Sequence, residues 1–460
     1  MSDVCFAVVG HPNKGKSSIV STLSRNDAIA ISARSGTTSK SDHYKVQIAD
    51  ASYTLIDTPG FQRPRQLLHQ IKSNAADASQ RAEAVNSFIN DPSSKTDYPD
   101  EVELLTPIMA GAAIIYVVDG SHPYGPEYEA EMEILRWCGQ PRLAIVNPIH
   151  NDHYIDEWRA ALDQFFSLVQ VFNPFQATVD QQSQLLESFR VIAPDWGVKL
   201  SHIASAMATE RTQWRQLTAT DIANYLIDVC SYKVEQKLPD TEQVDAIQQV
   251  LKTRYESYVI KQERKLFQQM LMTYKHVHSA LQFDDLDLPP DLFDIAQWYL
   301  WGLNKKQLIM SMTAGGIIAG GGIDLAVGGA SFMAGSLLGA VGGLVSGVAS
   351  TMGLSKFKIN GIPMTGKQLN YGPIKDPNYP YVLINRALHL YKQIVAKNHA
   401  DRSDVNINSN ITTWELTLNK LSDTMRKQLH KKCTQLSQQR YVPSEELSAV
   451  LDALLKTNNK

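Results

Sequence analysis

Three short stretches within the first sixty residues carry groups suited to holding phosphate and a divalent cation. The first, GHPNKGKSS (Gly10–Ser18), follows the apolar run Val4–Val9 and precedes the apolar helical positions Ile19, Val20 and Leu23. In the order strand, G-x-x-x-x-G-K-S, helix, the glycines Gly10 and Gly15 let the backbone curl. The N–H groups of the loop (His11, Pro12, Asn13 and Lys14 between the glycines, with Ser18 at the helix start) then cradle phosphate oxygens, Pro12 contributing shape rather than a donor. The helix N-terminus adds partial positive charge. Lys16 is placed to reach the outer phosphates, and the Ser17 hydroxyl to ligate Mg²⁺. The second stretch is Ser35–Lys40, SGTTSK, where a threonine can ligate the same ion and touch a terminal phosphate. Thr38 is the first choice and Thr37 the second; Ser/Thr/Gly runs also occur as ordinary loops. The third is Ile56-Asp57-Thr58-Pro59-Gly60, in which Asp57 can hold Mg²⁺ through water and the Gly60 N–H can sense the terminal phosphate. Taken alone it is also good turn chemistry.

These groups need a scaffold that brings separated loops to one edge. Over residues 1–195, short apolar runs (Val4–Val9, Tyr44–Ile48, Tyr53–Ile56, Ala112–Val118, Leu143–Val146, Val169–Phe172) alternate with helical stretches. That pattern predicts an α/β domain with a mostly parallel sheet. The tight turn Asp50, Ala51, Ser52 predicts one antiparallel hairpin between the second and third strands. A stretch at 62–107 is inserted after the third motif, with helix-like character over Gln66–Asn90 and a polar turn at Asp91–Lys95. It reads either as a surface for an unknown protein partner or a lid that moves with the terminal phosphate, or as a tolerated surface excursion.

The succession GHPNKGKS, GTT, DTPG resembles the bacterial P-loop GTPases of the Era and TrmE type, within the translation-factor-related class. The resemblance covers the first sixty residues well and 110–180 more loosely. It implies a G domain that binds GTP with Mg²⁺ (Ser17, Thr38, Asp57) and hydrolyses it, with Lys16, Thr38 and Gly60 at the reacting phosphate. Some relatives use potassium held partly by the P-loop asparagine, so Asn13 is a candidate K⁺ ligand. Three departures accompany it. Phe61, where Ras-like switches place glutamine, cannot orient water. The guanine-reading N-K-x-D motif is reduced to Asn147-Pro148-Ile149-His150, leaving Asn147 as the base-side candidate and Asp152 two residues late. The Ser-Ala motif is absent, and Ala177 in Asn173–Ala177 stands in as a donor of a backbone N–H to the base. The 62–107 insertion is the third departure.

Beyond the G domain, residues 196–305 read as long polar helices, such as Asp240–Val277 with apolar positions at Val244, Ile247, Val250 and Leu251. Residues 306–353 read as a glycine-rich apolar hairpin. Gly335, Gly339, Gly343 and Gly347 fall four apart, and Asp324 is the one charge between 308 and 352. The hairpin is either a contact with membrane lipid or a buried core element. Residues 354–460 form a C-terminal helical domain that opens with a turn-rich segment and carries a basic cluster at Arg426, Lys427, His430, Lys431 and Lys432. His276 and His278 lie two apart and make a poor joint metal site. The chain as a whole has 44 basic and 47 acidic residues and a net charge of −3, which argues against a general nucleic-acid-binding surface. Four separated cysteines fit a reducing cytosol, and the N-terminus lacks the basic region of a signal peptide. The expected protein is therefore a cytoplasmic switch, attached through 308–352 to the inner face of the membrane. The alternatives are a soluble GTPase associated with RNA, the ribosome or tRNA modification, and a nucleotide-gated scaffold with little hydrolysis.

Overall fold

The computed structural model describes residues 3–25, 40–237, 244–276, 358–359, 362–363, 368–376, 379–400 and 421–458. Thr37, Thr38, His278 and the glycine-rich segment 308–352 lie outside the described residues. The chain divides into two compact units, the first comprising Met1–Gln213 with Lys275–Leu281 and Val395–Asp404, and the second the remainder.

The first unit is built on a six-stranded sheet in the order β2-β3-β1-β4-β5-β6. Its strands are β1 (Cys5–Val9), β2 (Asp42–Ile48), β3 (Ala51–Asp57), β4 (Ala113–Asp119), β5 (Arg142–Asn147) and β6 (Leu168–Val171). β2 is antiparallel to β3, and every other pairing is parallel. The hairpin turn lies at Ala49 and Asp50, with Ala49 at φ 52°, so Ala51 and Ser52 already belong to β3 rather than to the turn. Both faces of the central strands are buried, which explains their unbroken apolar runs. Phe6 and Val8 of β1 and Ile115 and Val117 of β4 enter one core; Ala7, Val9, Ile114, Tyr116 and Val118 enter the other. Helix α1 (Lys16–Ser24) packs on the first face through Ile19, Val20 and Leu23.

The inserted stretch folds as four helices, α2 (Pro64–Ser73), α3 (Arg81–Asn90), α4 (Pro92–Asp97) and α5 (Pro99–Met109). Asn74–Asp77 and a 3₁₀ turn at Ala78–Gln80 divide what the sequence reads as one helical stretch. The segment read as a polar turn is α4 itself. The Asp91 carboxylate accepts the Ser93 N–H, capping the helix, and Pro92 occupies its first position. Leu67, Ile71, Val85, Phe88, Leu104, Leu105 and Ile108 are all buried in the second core. Each fully buried side chain of this kind contributes about 1.5–3 kcal/mol. The insertion is thus a layer of the domain rather than a surface excursion. The layer on that face continues with α6 (Tyr128–Trp137) and α7 (Ile155–Leu162); α8 (Val179–Ile192) covers the other face, entered by a capping box in which Thr178 and Gln181 satisfy each other's backbone N–H.

A 35-residue helix, α9 (Gly197–Ser231), runs across the division between the units. The second unit also contains α10 (Val244–Thr273), most of α11 (Tyr379–Ala396), α12 (Asp423–Ser437) and α13 (Ser444–Asn458). Val250 of α10 is 46% exposed; its core face runs instead through Leu251, Tyr255, Val259, Phe267 and Met270. The turn-rich segment after 355 contributes strands where only turns are expected. Two-residue strands β8 (Lys358–Ile359) and β9 (Ile362–Pro363) pair with each other, and β10 (Gln368–Tyr371) pairs antiparallel with β7 (Val234–Lys237). Inside this unit Arg386 and Glu263 form a buried two-point ion pair, at 2.6 and 2.7 Å. Much of the basic cluster on α12 is engaged locally, Arg426 with Asp423, Lys432 with Glu446 and His430 with the Tyr381 hydroxyl.

Candidate functional site

Parallel strands bring their C-terminal ends to one edge, and the first and third motifs lie there. β1 ends at Val9 and delivers the loop 10–15; β3 ends at Asp57 and delivers Thr58–Gly60. Gly15 has φ 87°, a left-handed conformation, and a β-carbon there would collide with the Asn147 side chain. Asn13 also adopts a left-handed conformation, at φ 62°, and is exposed. Helix α1 starts immediately after Gly15 with no side-chain cap and no acidic residue of its own in the first turn, so its first backbone N–H groups are left to an external acceptor. Ser18 is buried in that turn.

Lys16 is 8% exposed, and its ammonium donates to the His11 carbonyl at 3.1 Å, folding back over the loop. Burial pulls its pKa below the usual lysine value, against the charges of Asp57 and Glu131. The Ser17 hydroxyl donates to Asp57 Oδ2 at 2.7 Å. Asp57 Oδ1 is buried with no hydrogen-bond partner among the described residues. Burial pushes the Asp57 carboxyl above the ordinary range, with the Ser17 hydrogen bond and the Lys16 charge opposing. A buried carboxylate with one orphaned oxygen beside a serine hydroxyl is a donor set for a hard divalent cation. These residues therefore fit Mg²⁺.

The third motif is fastened to the first. The Thr58 hydroxyl donates to the Val8 carbonyl at 2.8 Å. Gly60 lies so close to the loop that a β-carbon would come 2.7 Å from both the Pro12 nitrogen and Cδ. Phe61 is fully buried in the second core, so the residue after Gly60 anchors the segment and does not face the loop edge.

The base side is built from the ends of β5 and β6. Asn147 is fully buried and donates from Nδ2 to the Lys14 carbonyl at 3.2 Å, bracing the phosphate loop, while its Oδ1 has no partner among the described residues. Asp152 is exposed. Ala177 differs from expectation. Its N–H closes a turn onto the Asn173 carbonyl at 2.9 Å, and its own carbonyl accepts from Asn398 at 2.7 Å, so that amide does not point to a base. The physical reason is the Asn173 turn, in which the Asn173 side chain also accepts the Phe175 N–H.

Several contributors are invisible in the motifs. Glu131 of α6, 1% exposed, accepts from His11 Nδ1 at 2.8 Å and from the Tyr116 hydroxyl at 3.0 Å, tying the loop to a helix 120 residues away. Asp119, at the end of β4, lies 3.7 Å from Lys14 Nζ and accepts from Ser121 and His122. Burial alone would raise the Asp119 carboxyl; those partners outweigh it and hold it below the ordinary range. Only the apolar run ending in Asp119 signals it in the sequence; nothing there marks Glu131.

Fold and site together define a P-loop nucleotide-binding domain of the α/β class. Residues 5–147 match the family described as 50S ribosome-binding GTPase. Residues 159–456 match the family described as Domain of unknown function (DUF3482), and the chain belongs to that family. Similar curated proteins include GTPase Era of Fusobacterium nucleatum, 26% identical over 220 residues, covering 46% of this chain and 63% of that one. GTPase Der of Cellvibrio japonicus is 29% identical over 154 residues, covering 32% and 33%. The tRNA modification GTPase MnmE of Gluconacetobacter diazotrophicus is 33% identical over 120 residues, covering 24% and 27%. The chain thus spans less than two thirds of the length of each of these relatives.

Proposed function

We propose that this chain is a GTP-binding and GTP-hydrolysing switch. The observation that carries the reading is the convergence of Lys16, the Ser17–Asp57 pair and the Gly60–Pro12 contact at one sheet edge. Lys16 exchanges its internal carbonyl for phosphate oxygens and neutralises charge that grows on the transferring phosphoryl group. Ser17 and Asp57, with Thr38 (Thr37 as second choice), would hold Mg²⁺, which when bound would supply further charge neutralisation. Gly60 presents its N–H to the terminal phosphate and reports its presence to the insertion. Phe61 is committed to the core, so water is positioned by backbone groups of the switch loops rather than by a side chain there. Asn13 is the candidate potassium ligand. Asn147 supports the base side. The similarity of residues 5–147 to proteins named GTPase supports guanine as the base.

Two outputs are in play. The four-residue spacing of glycines in 308–352 supports contact with membrane lipid on the cytosolic face. Among the described residues no helix is long and apolar enough to cross a membrane. The similarity to a tRNA modification GTPase and the match to a family described as 50S ribosome-binding GTPase support RNA as the alternative trigger. One assay separates them: phosphate release by the full chain with GTP or ATP, in potassium or sodium, with anionic liposomes, RNA or neither. GTP-selective turnover raised by liposomes supports the membrane switch, and turnover raised by RNA in a salt-sensitive way supports the alternative. Nucleotide binding without turnover in every arm leaves the scaffold reading. Equal rates in the two cations remove potassium.

A further inference from the structure

Helix α5 of the insertion touches both segments that border the phosphate motifs. Glu101 is 1% exposed, and its Oε1 accepts the backbone N–H of Gln62 at 3.1 Å and of Arg63 at 2.6 Å. These are the two residues that follow Phe61. Arg63 is also the N-cap residue of α2, a position with no side-chain cap of its own. Glu101 therefore caps α2 from another helix and places negative charge on its N-terminal dipole. The Arg63 guanidinium lies over the Tyr98 ring, 5.6 Å from its centre, one residue before α5 begins. Two residues along α5, on the other side of the helix, Glu103 Oε1 accepts the Ser41 N–H at 2.8 Å. The Glu103 carbonyl accepts the Ser41 hydroxyl at 3.1 Å. Ser41 directly precedes β2. Between these contacts, Leu104, Leu105 and Ile108 of α5 share the buried core with Phe61, and α5 packs beside β1.

A surface layer would need none of this backbone capture. A buried carboxylate that accepts two main-chain N–H groups makes strong, charge-assisted bonds, and it fixes the backbone rather than any one side chain. Because Gly60 is pressed on Pro12, a displacement of the segment 60–63 moves the phosphate loop or the end of α5, or both. We propose that Glu101 is a positioning residue for the reaction. In this inference, which rests on the GTPase reading above, α5 holds the post-Gly60 backbone in its reactive placement through Glu101. Through Glu103 it ties the start of β2 to the same helix, so that the two phosphate-bordering segments move with the insertion as one body.

The test uses the full chain. Wild-type GTP turnover is measured first, and its absence defeats the GTPase reading itself. Given turnover, Glu101→Ala frees the Gln62 and Arg63 amides and is expected to lower kcat about 10-fold or more while KM for GTP changes less than about 2-fold, because misplacement of reacting groups costs rate rather than ground-state binding. Glu101→Gln keeps an acceptor oxygen and is expected to recover at least half of the lost rate, which a merely structural loss would not predict. Equal kcat in wild type and E101A, or a loss that E101Q does not recover, overturns the proposal. Hydrogen exchange on the wild-type protein supplies a readout that needs no variant. Exchanging GDP for a slowly hydrolysed triphosphate analogue, with Mg²⁺ present, should change protection at residues 62–63 and across 99–105 together. A change at 62–63 with α5 unmoved also overturns it.

Discussion

At the sheet edge formed by the ends of β1 and β3, each group is held by a neighbour. Lys16 is folded onto His11, His11 onto Glu131, Ser17 onto Asp57, Thr58 onto Val8 and Gly60 onto Pro12. At the end formed by β5 and β6 the holding is sparser and serves other purposes. Asn147 spends its amide on the Lys14 carbonyl, Ala177 spends its N–H on Asn173, and Asp152 stands in solvent. The difference teaches what each kind of recognition requires. Phosphate is bound by backbone curvature, one ammonium and one cation site, all specified by a handful of adjacent residues. A base is told apart by side chains and amides placed by loops whose geometry nothing local enforces.

The comparison can be broken first at Lys16. Lys16→Ala should reduce GTP turnover by about 10²- to 10³-fold, the usual cost of removing a group that meets developing charge, and ATP turnover, where measurable, by the same factor. Steady-state phosphate release checks both. Next, Gly60→Ala forces a methyl group against Pro12 and should slow hydrolysis on the order of 10²-fold, consistent with a displacement near 1 Å at the reacting phosphate. GDP affinity, read by a fluorescent nucleotide, should stay nearly constant, because GDP lacks the phosphate that Gly60 meets. A smaller effect sharpens the contrast: Asn147→Ala should weaken GTP and ATP binding alike, by roughly 10-fold, if its buried hydrogen bond to Lys14 is its chief role. A loss confined to GTP would instead make Asn147 a reader of guanine and narrow the difference between the two ends.

The smallest expected effect is one of stability, at Asp57. Its carboxyl is raised above the ordinary value of 3.8 by burial, so the folded, nucleotide-free chain binds this proton more tightly than the unfolded chain does. That contribution is fully present below the ordinary value and is lost as pH rises through the raised one. At neutral pH the ionised group is a cost. Asp57→Asn should therefore raise the melting temperature of the metal- and nucleotide-free protein by about 2–4 °C while removing magnesium-dependent nucleotide binding. A lowered melting temperature at neutral pH would show that the carboxylate stabilises the empty fold.

How much of this was legible in the sequence follows the same division. Strand positions fell within one or two residues of the apolar runs because both faces of a parallel strand are buried and the run is continuous. The phosphate loop was legible because strand, glycine spacing and helix are contiguous. The insertion was legible as helix but not as core: Leu67, Phe88 and Leu104 look like any amphipathic stripe until the sheet face they cover is known. The helix at Pro92–Asp97 was hidden by its own capping chemistry, since Asp-Pro-Ser-Ser reads equally as turn or as helix start. Glu101 and Glu131 were not legible at all. Each acts on backbone or imidazole groups about 40 and 120 residues away, and a carboxylate in the first turn of a helix carries no local mark of that partnership.

The strand β2 has a consequence outside nucleotide chemistry. Among the described residues it pairs only with β3, so within them its other flank carries main-chain donors and acceptors outside the ladder. Asp42, His43, Lys45 and Gln47 are exposed along it, and at the far side of the sheet β6 is only four residues long. A foreign chain zipping onto β2 would have to lie alongside both signs of charge, and one approaching β6 would find little ladder to extend. Among the described residues, charge on β2 and shortness of β6 thus make both rims of the sheet poor templates for edge-to-edge pairing.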